Sequence, residues 1–300
     1  MYKNNLYGVF AAAITPLTSE FQPDRAAIPD YLDFLARRGC HGALILGTTG
    51  EGPSFSPLQR QTILESAVRV RETHPHFRLL AGTGTPSLDE TNLLTRMAFN
   101  LGYDGVVVLP PYYYRKAGDD GLFTWFSLIL KKAVPSDGSL LGYHIPAVSG
   151  VSLSLDLLER LKVSFPQSFD GLKDSSGDQE FARMLSQRFG NALMIFTGHD
   201  RLFSLALNLG AAGCITASAN LFSPLLRQIW DQRQTDQTNS GAQHLINVIR
   251  NTLDSHPPYP SLIKALLNRL HGFPLWPVCP PLSPQSDETI DRIVIALNLT

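Results

Sequence analysis

The chain has 300 residues, 44% of them hydrophobic and 17% charged, with a formal net charge of −1. That composition can bury a large core, and it carries no electrostatic footprint for nucleic acid or an anionic membrane. Three widely spaced cysteines, Cys40, Cys214 and Cys279, suggest neither a disulfide framework nor a zinc cluster. Met1–Asn5 lacks the apolar run of a signal peptide, and no uninterrupted apolar stretch is long enough to span a bilayer. The expectation is a cytoplasmic protein.

From Tyr7 onward, short apolar runs alternate with longer amphipathic stretches, the pattern of parallel βα units. The first run is Gly8–Ile14, stopped by Thr15-Pro16. A helix-like stretch from about Arg25 to Arg38 follows, with Tyr31, Leu32, Phe34 and Leu35 on one face and Gly39 at its end. Run two, Gly42–Leu46, opens into Gly47-Thr48-Thr49-Gly50-Glu51. Ser56-Pro57 then marks a helix start, a polar cap with proline at the first helical position.

Run three is Arg78–Gly82, with Ser87 as the cap of the next helix, and run four is Gly105–Leu109, ending in Pro110-Pro111-Tyr112-Tyr113-Tyr114. Run five is Ser139–Pro146. Run six closes at Lys173, run seven is Ala192–Phe196 followed by Thr197-Gly198-His199-Asp200, and run eight is Gly213–Ala217. Eight units predict an α/β fold, a (β/α)8 TIM barrel over 1–230. An open doubly wound sheet competes, but the first βα turn has no Gly-x-Gly-x-x-Gly.

The remaining stretch, 231–300, predicts a C-terminal helical extension packed on the barrel. The polar run Asp231–Ser240 separates it from the last barrel helix, and Leu262, Ile263, Leu266, Leu267 and Leu270 form an apolar stripe. Pro274–Pro284 cannot be helical throughout.

In such barrels the working groups lie at the C-terminal ends of the strands, and the reactive-looking residues fall there. A lysine in a strand is unusual. If Lys173 points into the barrel, desolvation favours its neutral amine, a nucleophile toward a carbonyl carbon. The bland reading of this lysine alone is an exposed strand edge. Runs five and six are neighbours, so an inward Tyr143 could meet Lys173 and serve proton transfer. Thr48, Thr49 and the glycine-bounded backbone around them suit a carboxylate. His74-Pro75-His76 reads as a helix end, Gly82-Thr83-Gly84 is too short for a dinucleotide fingerprint, and Lys131-Lys132 reads as a solvated face.

Gly47-Thr48-Thr49-Gly50-Glu51, Tyr143-x-x-Pro146 and Gly171-x-Lys173 with Ser176-Gly177-Asp178 resemble the signatures of the dihydrodipicolinate synthase/N-acetylneuraminate lyase family, the pyruvate-handling class I aldolases. Pro111-Tyr112-Tyr113 and Pro280-Pro281-Leu282 extend the resemblance over the whole chain.

The resemblance implies a Schiff base between Lys173 and the keto carbon of pyruvate or another 2-oxo acid, with Tyr143 shuttling protons. Thr48 would link Tyr143 to Tyr113, which in this family usually arrives from a neighbouring subunit. Thr49 and Gly50 would bind the carboxylate and Ile215 would line the pocket. No metal or organic cofactor is implied, and the partners are a 2-oxo acid and an aldehyde. A homotetramer, a dimer of dimers, is expected from Tyr113 and from the stripe Leu262-Leu266-Leu270.

In the synthases an arginine follows the strand-five tyrosine and holds the carboxylate of aspartate semialdehyde; Val148 stands at its place here. Gly198, His199 and Asp200 look suited to a hydroxylated chain. The resulting expectation is an aldolase for a 2-oxo-3-deoxy sugar acid. Dihydrodipicolinate synthase is the runner-up, and Arg115 is a candidate replacement for the missing guanidinium. A non-catalytic 2-oxo-acid-binding barrel is the alternative from another class.

Overall fold

The computed structural model describes residues 6–234 and 240–298. Eight parallel strands close into a barrel in chain order: β1 (Gly8–Ala12), β2 (Gly42–Ile45), β3 (Arg78–Gly82), β4 (Gly105–Val108), β5 (Leu140–His144), β6 (Phe169–Asp174), β7 (Met194–Thr197) and β8 (Gly213–Thr216). Around them lie α1 (Ala27–Arg37), α2 (Pro57–Ala67), α3 (Leu88–Asn100), α4 (Asp119–Ala133), the single turn α5 (Pro146–Ser149), α6 (Leu155–Ser164), α7 (Gln179–Phe189), α8 (Phe203–Asn208) and α9 (Ala219–Asp231). The fold is a (β/α)8 barrel. Run seven enters its strand at Met194 instead of Ala192, because Gly190–Ala192 wind into a 3₁₀ turn.

The strands are mostly apolar because both their faces are covered. Successive side chains point to opposite sides. Phe10, Leu44, Leu80, Val107, Leu141, Met194, Phe196 and Ile215 form one buried cluster inside the barrel. Val9, Ala43, Leu79, Val106, Leu140, Leu172 and Cys214 join a second cluster shared with the helices. The narrow interior needs small residues opposite large ones. A Cβ at Gly42 would stand 2.5 Å from Phe10 Cε1, and the space left lets Phe10 meet Phe196 edge-on at 5.5 Å.

Two of the helix starts the sequence marks follow their caps. Ser56 and Gln59 form a reciprocal capping box on α2, and Ser87 accepts the amide of Glu90 on α3. Three further helices follow: α10 (Ser240–Asp254), α11 (Tyr259–His271) and α12 (Asp287–Ala296). α10 packs on α9, and α11 packs on both α9 and α12. No helix among the described residues is long and apolar enough to cross a membrane. Met1–Asn5 and, within the polar run, 235–239 lie outside the described residues.

One expectation needs correcting. Leu262 and Leu266 are 0% exposed, and with Ile263 and Leu267 they belong to the core of their own chain. The α11 stripe is consumed by intrachain packing and offers a second copy nothing beyond the partly buried Leu270.

Two histidines at strand termini accept backbone amides through Nδ1, which requires the neutral ring. His41 accepts from Val9 and His144 from Leu153, each at 3.0 Å. Burial lowers both pKa values to about 4, with Arg227 adding to the effect at His41. The unfolded chain therefore takes up protons near pH 6.5 that the folded chain refuses until about pH 4. The stability these rings contribute is complete above about pH 6.5 and is lost progressively as pH falls toward 4. Thermal denaturation should show Tm falling over that window. A His41→Asn/His144→Asn variant, which keeps an acceptor near each Nδ1 position, should flatten the fall. An unchanged pH slope in that variant would contradict the assignment.

Candidate active site

β5 and β6 pair in parallel with Tyr143 opposite Lys173, so both side chains reach the same level inside the barrel. Lys173 is 3% exposed, and its Nζ lies 4.1 Å from the centroid of the Tyr143 ring. Tyr143 is also buried, and its hydroxyl stands 3.4 Å from Thr48 Oγ1. Burial pushes the Tyr143 pKa up, but the charge of Lys173 and hydrogen bonds with Thr48, Lys173 and Ser175 outweigh it and leave the phenol below its ordinary value. The site thus holds an amine and an acidified phenol in contact.

Ser175 was missed in the sequence, although the two-residue period of a strand carries it onto the face of Lys173. Its amide donates to His144 O at 2.8 Å. Its side chain fits only because Gly198 follows β7. A Cβ at Gly198 would stand 1.8 Å from Ser175 Oγ.

The loop after β2 brings Thr48 to the site. Leu46 (φ 61°) and Glu51 (φ 56°) adopt the left-handed conformation at its two ends. Thr48 is exposed and Thr49 is buried. Among the described residues, the amides of Thr48, Thr49 and Gly50 donate to no protein acceptor, as an anion cradle of backbone N–H groups requires. Thr15 Oγ1 donates to Gly50 O at 2.7 Å and braces the loop from below. A cavity of about 30 Å³ lies between Gly47, Thr48, Arg60, Gly82, Gly84 and Tyr143, room for one water. Arg60, on the outer helix α2, gave no signal in the sequence. Ile215 is fully buried in the interior cluster that contains Tyr143.

Other candidates stand apart. Tyr113 is 76% exposed, its ring edge-on to Tyr114 at 5.3 Å, and among the described residues no hydrogen bond links it to Thr48. Asp200 is 0% exposed, and its carboxylate is held through Oδ1 by Thr216 Oγ1 and by Arg250 Nη1 at 3.4 Å. It ties β8 to α10, and its Oδ2 has no partner among the described residues. His199 is half-buried beside Gly177, with Nε2 3.3 Å from Arg201 Nη2; burial and the Arg250 charge lower its pKa. Val148, on α5, is 57% exposed, and the stem of Arg115 lies against Gly150. His74 binds Asp33 at 2.7 Å, and among the described residues no cluster of three His, Cys, Asp or Glu side chains could hold a metal.

A buried lysine thus stands against a tyrosine at the C-terminal ends of two neighbouring barrel strands. Comparison with known proteins gives the family. The model of the dihydrodipicolinate synthetase family matches residues 5–299. An uncharacterized DapA-like lyase of Chloroflexus aurantiacus is 38% identical over 284 residues, covering 94% of this chain and 93% of that one. The crystal structure of dihydrodipicolinate synthase from Agrobacterium tumefaciens superposes with a TM-score of 0.88 at 30% identity, covering 97% and 98% of the two chains. That of YagE, a prophage protein of E. coli K12 solved in complex with pyruvate, gives 0.90 at 25% identity over 98% and 99%. The chain belongs to the dihydrodipicolinate synthetase family. It is a carbon–carbon lyase of the class I aldolase type.

Proposed function

We propose that the chain cleaves or forms a carbon–carbon bond next to pyruvate, through an imine on Lys173. The observation that carries this reading is Lys173 itself, buried in the barrel with its Nζ against Tyr143. The Nζ lone pair adds to the keto carbon of the 2-oxo acid, and the carbinolamine loses water to give the protonated imine. In cleavage, the C3–C4 electron pair flows into that imine, releasing the aldehyde and leaving an enamine. Protonation at C3 and hydrolysis then release pyruvate and free the amine. Tyr143, its phenol acidified by Lys173, moves the protons. Thr48 hydrogen-bonds the Tyr143 hydroxyl, Thr49 and Gly50 hold the carboxylate, and Ile215 is the apolar wall.

The substrate we favour is a 2-oxo-3-deoxy sugar acid or a similar hydroxylated 2-oxo acid. Val148 supports this reading, because a valine at the mouth offers an acceptor carboxylate neither charge nor donor. His199 and Gly198 would lie along the hydroxylated chain. The second reading is dihydrodipicolinate synthase, condensing pyruvate with aspartate semialdehyde. It is supported by Arg115, which lies across Gly150 two residues from Val148, and by the name of the 30% identical neighbour.

We further propose a homotetramer in which Tyr113 completes the site of a second copy, supported by its 76% exposure and by the lack, among the described residues, of a hydrogen bond to its own Thr48. In this reading 1–230 is the barrel with the active site, 231–300 its helical appendage, and the location is cytoplasmic, in keeping with three unpaired cysteines.

Borohydride with pyruvate should add a stable mass to the peptide containing Lys173 and none to a Lys173→Ala variant. Labelling of another lysine would sink the assignment. Tyr143→Phe should fold and lose roughly 10²–10⁴-fold in turnover, the scale of a positioned acid–base group; wild-type turnover would remove the proton-transfer role and leave a binding barrel as the better account.

Substrate class is decided by kcat/KM for pyruvate condensation with glyceraldehyde against aspartate semialdehyde. Without an arginine at position 148 the semialdehyde forgoes roughly 1.5–3 kcal/mol, about 10- to 100-fold. A clear preference for the semialdehyde would favour the synthase and mean that Arg115 supplies the contact. Sedimentation should show a tetramer; a fully active monomer at assay concentration would refute the shared site.

A further inference from the structure

Lys264 on α11 and Glu51 in the loop after β2 form an ion pair far from Lys173 in sequence and out of reach of water. Lys264 is 1% exposed and Glu51 2%. Lys264 Nζ donates to Glu51 Oε1 at 2.6 Å and to Pro277 O at 2.6 Å, and the amide of Cys279 donates to Glu51 Oε2 at 2.7 Å. Both carboxylate oxygens are thereby satisfied by the C-terminal 70 residues and none by the barrel. Opposite charges this close in a low-dielectric interior resist separation, so the Glu51 side chain is fixed.

That fixity passes directly to the cradle. Glu51 follows Gly50 in the chain and holds a left-handed φ of 56°. Its amide donates to Thr48 O at 3.1 Å, and the next amide, of Gly52, donates to Gly47 O at 3.1 Å. A shift of Glu51 therefore moves Thr48, Thr49 and Gly50. The loop is also pinned at Gly50 O by Thr15, and a Cβ at Gly50 would stand 2.7 Å from Ala13 O. The loop is thus held both by the segment that follows β1 and by the C-terminal segment.

We propose that Lys264, acting through Glu51, is a positioning residue that holds the Thr48–Gly50 amides and hydroxyls in the geometry that binds the 2-oxo-acid carboxylate. The C-terminal appendage is then part of the binding apparatus. The proposal rests on the reading of Thr48–Gly50 as a carboxylate cradle.

The test titrates pyruvate in borohydride trapping on Lys173, which needs no aldehyde, and reads half-saturation and maximal trapping rate separately. The full-length variant Glu51→Gln/Lys264→Met removes both charges and leaves no buried charge unpaired; Lys264→Met is run beside it. Half-saturating pyruvate should rise roughly tenfold or more in the double variant while the maximal rate stays within about threefold of wild type. A purely structural staple would lower Tm and the trappable fraction and leave half-saturation unmoved, and that result would overturn the proposal. Failure of both variants to fold would overturn it as well, by making the pair a requirement of the fold. Thr49→Val separates the two layers of argument. If it leaves half-saturation unchanged, the cradle reading fails and takes this inference with it. If it raises half-saturation and the double variant does not, only the inference fails.

Discussion

Parallel pairing sets residues of neighbouring strands side by side, and between β5 and β6 it sets Tyr143 beside Lys173. An amine placed inside a barrel needs compensation, and among the described residues no carboxylate pairs with Lys173. Its Nζ lies 4.1 Å from the centroid of the Tyr143 ring. A cation over an aromatic face gains up to about 2 kcal/mol when both are desolvated. The same proximity draws the phenol's pKa down. Thr48, Ser175 and, through the space it leaves, Gly198 are arranged around that pair. A residue with a side chain at 198 would evict Ser175 before it touched anything else.

The second constraint is the clamp on the loop after β2. Removing one partner of a buried ion pair typically costs about 3–5 kcal/mol, whereas replacing both with well-packed apolar groups is often neutral. Stability alone therefore gives no reason for two charges to sit where apolar residues would pack as well. What distinguishes Lys264 and Glu51 is their position next to Gly50. A salt bridge has a direction and a length; an apolar contact has neither so sharply. That difference matters for a loop that presents three amides with no protein acceptor among the described residues.

Much of this was legible in the sequence, for reasons that can be named. Eight apolar runs with capping residues between them give the barrel, because parallel strands and amphipathic helices leave different periodicities. Lys173 and Tyr143 stood out because charge and phenol are rare in such runs, and Thr48–Thr49 because glycines bracket them. What the sequence could not show was direction. Asp200 was read as facing substrate and faces Thr216 and Arg250, since a residue just past a strand end can turn either way. The α11 stripe was read as an interface, but an apolar face has the same pattern whether its partner is the same chain or another. Lys264 sits within that stripe, where nothing local announces a partner 213 positions away.

The mouth of the barrel obeys looser rules than its interior. Tyr113 and Tyr114 are 76% and 73% exposed and Val148 57%, while Lys173 and Tyr143 are packed from every side. The mouth residues are held by loops and by the single turn α5, so their identities can differ without disturbing the interior layer. One steric detail joins two of them. Gly150 ends α5 with φ 68°, and a Cβ there would stand 2.6 Å from Arg115 Cδ. Arg115 lies along this turn in space that a side chain at position 150 would take. The apolar Val148 and the nearby arginine stem are therefore coupled through one glycine, and the charge presented at this mouth is set by the geometry of this turn as much as by the residue at position 148.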